Sequence, residues 1–235
     1  MVRPSVVSLV HLGCARNLVD SEVVLARLAE RGLVVSGDER EADVVVLNTC
    51  SFIGPAREES EQQIRRLVRR KKKRELRAVV VAGCLVSRYQ HTLEKRFPDV
   101  DLWAEISDGV ELATRVAALG RGEGVPRYLA AERPGAEREG ARLLATPGSY
   151  AYLRISHGCD HTCSFCAIPA IRGPHRSKRP EALEQEAREL VEQGVRELVL
   201  VAEDLTAWGR DIGAELPALV ERLAELPGEH KLRLM

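Results

Sequence analysis

Three nearly continuous apolar runs, Val6 to Leu12, Ala42 to Leu47 and Ala78 to Ala82, each end within a few residues of a cysteine: Cys14, Cys50 and Cys84. Runs this short and this rich in valine read as buried strands. The stretches between them read as helices. Asn17 is placed to cap the first, with Asp20 three residues on and Leu18, Ser21, Leu25 and Leu28 along one face, and Gly32 stops it. Leu33 to Val35 is a further strand candidate. A helix is predicted from Pro55 to about Arg74, and helical segments over 87–96 and 109–119 complete the unit. Such alternation predicts an α/β fold, an open parallel sheet with helices on both faces. In open sheets of this kind ligands bind beyond the carboxyl ends of the strands. Cys14, Cys50 and Cys84 are therefore expected to converge as a three-cysteine metal site. Free cysteine is often a core residue, so three unrelated buried thiols are the alternative. Their shared position at strand ends, beside Gly or Thr, argues against it.

From Gly120 to Ser149 the chain is rich in Gly, Glu, Arg, Pro and Ala without periodicity, and is expected to be a linker with a short ordered piece around Arg142 to Leu144. A second unit opens with the strand Tyr150 to Ile155. Pro180 starts a helix with Leu183, Ala187, Leu190 and Val191 on one stripe, ended by Gly194. Glu197 to Ala202 is the next strand, followed by a polar turn through Glu203, Asp204, Thr206, Trp208 and Gly209. Leu216 to Leu226 is a helix, and Lys231 to Met235 the opening of a third strand. The expected division is 1–119, a linker over 120–149, and 150–235. Strand–loop–helix repeats build a parallel barrel whose sites lie on the loops after the strands. Two and a half repeats do not close one, so the second unit is expected to be the first part of a barrel and the chain an N-terminal portion of something longer.

Directly after Tyr150 to Ile155 comes Ser156-His157-Gly158-Cys159-Asp160-His161-Thr162-Cys163-Ser164-Phe165-Cys166. Its cysteines follow a C-x3-C-x2-C spacing. Three thiolates so close suit three irons of a 4Fe–4S cluster, leaving the fourth iron without a protein ligand and open to chemistry. A zinc site would need a fourth ligand from His157 or His161, although zinc motifs usually pair two knuckles. A disulfide framework would need an oxidising compartment.

Composition narrows the classes. Lys and Arg balance Asp and Glu at 35 each, so no net field draws the chain to nucleic acid or membrane. The basic run Arg65, Arg66, Arg69, Arg70, Lys71, Lys72, Lys73 and Arg74 is read first as a solvated helix end favoured by the macrodipole, and second as an RNA-facing patch. No apolar run is long enough to span a bilayer. Leu12-Gly13-Cys14 looks like the end of a lipoprotein signal, but the apolar stretch before it is short and His11 interrupts it. A cytoplasmic protein with reduced cysteines is the expectation.

The two cysteine sets together resemble the radical S-adenosylmethionine (radical SAM) methylthiotransferases over nearly the whole chain. The N-terminal motifs are Leu12-Gly13-Cys14-Ala15-Arg16-Asn17-Leu18-Val19-Asp20-Ser21-Glu22, Asn48-Thr49-Cys50 and Gly83-Cys84. The first of these, with the turn Glu203-Asp204-Leu205-Thr206-Ala207-Trp208-Gly209-Arg210-Asp211, is similar to the branch that methylthiolates the β-carbon of an aspartate in the twelfth protein of the small ribosomal subunit. Arg16, Glu203 and Trp208 depart from that branch's usual Lys, Gln and Tyr. A sister branch modifies an adenosine of tRNA. The resemblance implies two 4Fe–4S clusters, a radical-generating one on Cys159, Cys163 and Cys166 and an auxiliary one on Cys14, Cys50 and Cys84. It further implies S-adenosylmethionine near Phe165, Glu203 and Asp204. The implied reaction abstracts a hydrogen from an unactivated carbon with a 5′-deoxyadenosyl radical and then transfers sulfur. The implied partners are the ribosomal protein as substrate, tRNA as its alternative, and an electron donor of flavodoxin or ferredoxin type. Two readings of other classes stand beside this one, a two-cluster electron carrier without catalysis and a zinc-stabilised binding module.

Overall fold

The computed structural model describes residues 4–107, 109–131 and 141–235. The chain divides into two compact units, one made by residues up to 131 together with 141–143, the other by 144–235. The first contains β1 (Val6–His11), α1 (Ala15–Glu30), β2 (Val34–Val35), β3 (Val44–Thr49), α2 (Gly54–Lys72), β4 (Ala78–Gly83), α3 (Cys84–Tyr89), α4 (Thr92–Arg96), β5 (Leu102–Ala104), α5 (Val110–Gly120) and β6 (Tyr128–Leu129). Its strands are all parallel, in the order β2-β1-β3-β4-β5-β6.

Alternation along the strands builds a core on each face of this sheet. Val44 and Val46 of β3, with Ala78, Val80 and Ala82 of β4, pack with Leu28 of α1 and Val116 of α5. Val45, Leu47, Val79 and Val81 point the other way, toward Ile64 and Leu67 of α2, Leu93 of α4 and Trp103 of β5. Valine suits these central strands because both faces are buried and its branched side chain fits the pleat. The chain leaves β1 toward β2 on one side and toward β3 on the other. That reversal is the topological switch point of a doubly wound sheet.

Three features differ from the sequence reading. Helix α1 begins at Ala15 with Cys14 in the N-cap position, and Asn17 lies buried inside it. The strands β5 and β6 were not anticipated, since pieces of three and two residues carry no readable period. They form because the sheet edge offers partners, Trp103 N–H donating to Arg127 O at 2.7 Å and Glu105 N–H to Leu129 O at 2.9 Å. The stretch 120–149, expected as a linker, therefore supplies an edge strand. It also supplies Arg142, whose guanidinium reaches Glu22 of α1 at 3.2 Å with both side chains almost fully buried.

The basic run on α2 is largely matched by acids. Arg66 grips Glu39 with both Nη atoms at 2.6 Å, Arg70 joins the same carboxylate, Lys71 meets Asp101 at 2.5 Å, and Lys72 meets Asp99 at 2.8 Å. The Arg66 hydrogen bonds hold the Glu39 carboxyl below its usual range. A carboxylate depressed in the folded state stabilises above its unfolded pKa and stops doing so as pH falls through the folded one. Glu39→Gln is thus expected to cost about 1 kcal/mol at pH 7, a difference that shrinks below the ordinary carboxylate range. Urea titrations at neutral and acid pH measure it, and a pH-independent difference would refute the ion pair as its cause.

The second unit contains β7 (Tyr150–Arg154), β8 (Ser156–His157), α6 (Ile168–Arg172), β9 (Arg176–Ser177), α7 (Pro180–Glu192), β10 (Glu197–Val201), α8 (Leu216–Ala224) and β11 (Lys231–Leu234). Parallel strands run in the order β11-β10-β7, and β8 pairs antiparallel with β9. Leu153, Leu198 and Leu200 pack under Leu183, Ala187 and Leu190 of α7 and Leu219 and Leu223 of α8. Among the described residues, no helix is long and apolar enough to cross a membrane.

Candidate metal centres

The first unit gathers its cysteines at the carboxyl edge of three neighbouring strands. Thr49 of β3 is in register with Gly83 of β4, so the residues that follow, Cys50 and Cys84, leave the sheet side by side. Cys14 comes three residues after β1, on the other side of β3. Cys14 and Cys50 therefore flank the switch point, where the loops diverge and leave room for a ligand. Cys50 and Cys84 are only 8% and 6% exposed, whereas Cys14 faces solvent.

Polar side chains hold this edge in place. Asn17 Nδ2 donates to Leu12 O at 2.7 Å and to Thr49 O at 3.3 Å, tying the β1 and β3 loops together. Thr49 Oγ1 donates to Ala82 O at 2.6 Å and accepts from Leu85 N at 3.3 Å. Ser60 Oγ lies 2.7 Å from Cys50 O, and Ser51 Oγ donates to Cys84 O at 3.0 Å. Gly13, at φ +102°, lies so close over Cys50 that an added Cβ would overlap the cysteine's own Cβ. Burial pushes the His11 imidazole below its usual pKa against the charge of Asp20, so the ring beside Ser21 is neutral near pH 7.

In the second unit the cysteine loop follows β8. Gly158, at φ +73°, packs against the carbonyls of Gly173 and Pro174, leaving no room for a side chain. Cys159 N donates to Gly173 O at 3.2 Å and Cys166 N to Cys163 O at 3.0 Å. Gly158→Ala is expected to cost about 2 kcal/mol or more, because backbone carbonyls cannot step aside as a flexible side chain can. A chemical denaturation curve reads this, and an unchanged midpoint would refute the close contact. Phe165 stands 87% exposed.

The two acidic residues after β10 have separate surroundings. The Glu203 side chain is buried with that of Arg172, Oε1 to Nε at 3.5 Å. Asp204 Oδ1 accepts from Thr206 N at 2.9 Å and Oγ1 at 2.7 Å, and its Oδ2 lies 2.7 Å from His161 Nε2. The hydrogen bonds of His161 and Thr206 draw the Asp204 carboxyl down to about 2. An ionised carboxylate only accepts, so His161 donates through Nε2. Asp204, expected beside S-adenosylmethionine, thus has three donors on a carboxylate with about four acceptor positions.

All six cysteines are free thiols. Among the described residues, no group of three or more His, Cys, Asp or Glu side chains is close enough to hold one metal ion. A zinc site would need four ligands at about 2.0–2.3 Å from a single centre, and neither His157 nor His161 completes one with the cysteines. A cubane takes its thiolates on separate irons and suits a wider set. Three adjacent parallel strands spread their ends over roughly 10 Å, at about 4.8 Å per step.

Residues 6–105 match the Uncharacterized protein family UPF0004, and residues 153–234 match the Radical SAM superfamily. Between them these matches span most of the chain, the second being to the Radical SAM superfamily. The chain is 44% identical over 231 residues to ribosomal protein uS12 methylthiotransferase RimO of Trichlorobacter lovleyi, covering 97% of this chain and 51% of that one. It is 48% identical over 234 residues to the protein of the same name from Nitratidesulfovibrio vulgaris, covering 96% and 50%. The chain spans about half the length of the curated relatives it matches. Two solved structures share its fold. One is the radical S-adenosylmethionine methyltransferase TsrM of Kitasatospora setae (TM-score 0.59, 18% identity, 92% of this chain and 50% of that one). The other is the cobalamin-dependent S-adenosylmethionine radical enzyme OxsB (TM-score 0.62, 14% identity, 97% and 38%). At such identities the likeness concerns the fold alone.

Proposed function

We propose that this chain carries the two iron–sulfur sites of a methylthiotransferase acting on the β-carbon of an aspartate in ribosomal protein uS12. The observation that carries the reading is the pair of separate three-cysteine sets, none of them in a disulfide, one beyond the ends of three parallel strands and the other in the single loop after β8. Cys159, Cys163 and Cys166 would hold one four-iron cluster and leave an iron for S-adenosylmethionine, while Cys14, Cys50 and Cys84 would hold the second. When bound, these groups supply a one-electron reductant, a carbon radical able to take hydrogen from an unactivated carbon, and the sulfur to be transferred.

The protein's own part is binding and orientation. Phe165 offers an exposed aromatic face to the adenine, and Glu203, whose side chain lies 3.5 Å from the Arg172 guanidinium, belongs to the turn that would face the ligand. The electron would come from a flavodoxin- or ferredoxin-type donor. Support for uS12 over tRNA comes from the relatives' similarity and from the acid-matched basic run on α2.

Anaerobic reconstitution is expected to load about eight irons per chain, four for each cluster. S-adenosylmethionine should then alter the paramagnetic spectrum of the reduced protein. Mass spectrometry of uS12 and of tRNA from cells expressing the protein should place the thiomethyl gain on uS12. Zinc without iron would indicate a binding module, iron indifferent to S-adenosylmethionine an electron carrier, and a gain on tRNA alone the sister activity. Each of these outcomes defeats the proposal.

A further inference from the structure

The cysteine loop of the second unit contains two residues with ionisable side chains besides its cysteines, Asp160 and His161. Both are held from the same place. His161 Nε2 donates to Asp204 Oδ2 at 2.7 Å, and Asp204 is itself fixed by the two bonds from Thr206 to its other oxygen. Asp160 Oδ1 accepts from His175 N at 2.9 Å. His175 Nε2 lies 3.1 Å from Ser177 Oγ and 3.6 Å from Asp211 Oδ1. Ser177 donates its N–H to Asp211 Oδ2 at 2.9 Å and accepts from Gly209 N at 2.8 Å. Asp204, Gly209 and Asp211 all belong to the turn that follows β10.

We propose that this turn is a two-point fastener for the cysteine loop, Asp204 holding His161 directly and Asp211 holding Asp160 through Ser177 and His175. The loop is then set before any cluster binds. Asp204 and His161 are positioning residues in this scheme, not ligands. The physical reason for such a device is entropy. A loop carrying three thiolates loses conformational freedom when it closes on a cluster, and every residue that was mobile beforehand adds to that cost. Tying the loop to the end of a buried strand removes part of that cost in advance. The turn also gives the polar residues after β10 a task separate from ligand binding. The inference rests on the proposed cluster site but concerns the loop's order, which exists without metal.

The test therefore has two arms. In the metal-free chain, hydrogen exchange is measured across residues 159–166 for the wild type, His161→Leu and His161→Gln. The leucine should speed exchange about tenfold, the factor that a charge-assisted hydrogen bond of about 1.4 kcal/mol represents. Glutamine, whose amide can still donate to Asp204, should restore most of the protection. Equal exchange in all three overturns the proposal, as does a leucine variant whose whole second unit melts early, since the bond would then serve the fold and not the loop. In the iron-loaded chain, a chelator should strip iron about tenfold faster from the second unit in His161→Leu, with iron at Cys14, Cys50 and Cys84 as the internal control. Equal stripping overturns it. A chain that takes up no iron defeats the functional reading, while the exchange arm still decides the fastener.

Discussion

Cys163→Ser is expected to lower the iron content from about eight to about four per chain and to abolish reductive cleavage of S-adenosylmethionine. A cubane left with two of its three thiolates loses its anchorage at one corner, and serine is a poor ligand for iron because its hydroxyl stays protonated near neutrality. Cys163 is the clean choice within its trio. It is exposed, so the substitution removes a thiol without opening a cavity or disturbing the core. Denaturation of the protein should be unchanged. The matching change in the first unit, Cys50→Ser, places a hydroxyl at a buried position and mixes loss of iron with loss of packing. Iron and sulfide assays with chromatography of the nucleoside product read the result. Full iron content in Cys163→Ser would remove that cysteine from the site.

The largest effect on stability is expected from Arg142→Ala, which should cost the first unit about 3–5 kcal/mol. Glu22 has no exposed side-chain surface and Arg142 only 4%, so truncating the arginine takes a buried cation away from a buried carboxylate. Leu143 N donates to Glu22 O at 3.1 Å, so the same residues also fasten the backbone of this segment. Replacing both partners with apolar residues of similar volume should cost much less, because no charge is then left unpaired. Guanidinium unfolding of the two variants makes the comparison. A loss below about 1 kcal/mol in Arg142→Ala would mean that water reaches Glu22 when the arginine goes.

Much of this architecture can be read directly from the chain. Val44, Val45, Val46 and Leu47 could only be a strand covered on both sides, and the two cores on either face of β3 are what that pattern requires. The position of Cys50 and Cys84 just after their strands follows from the same local patterns. Asn17 shows where local reasoning ends. It has the chemistry of a helix cap, yet it lies within α1 and ties two loops whose acceptors, Leu12 and Thr49, are 5 and 32 residues away. Trp103 and Tyr128 were missed as strand residues because their strands are too short for a period and exist only against a preformed edge.

The cysteine spacing and the valine runs are properties of neighbours along the chain, and short-range sterics and burial suffice to turn them into strands, helices and two candidate metal sites. Which polar residues support those sites is a long-range matter. Asp204 meets His161 across 43 residues, and Arg142 reaches the buried Glu22 of α1 from the far end of the same unit's sequence. Such partners are selected by the packing of whole elements, which brings one donor within about 3 Å of one acceptor and excludes water from the others. The chemistry of the thiolates is therefore written in the sequence, and the rigidity with which they are presented is decided only when the sheets assemble.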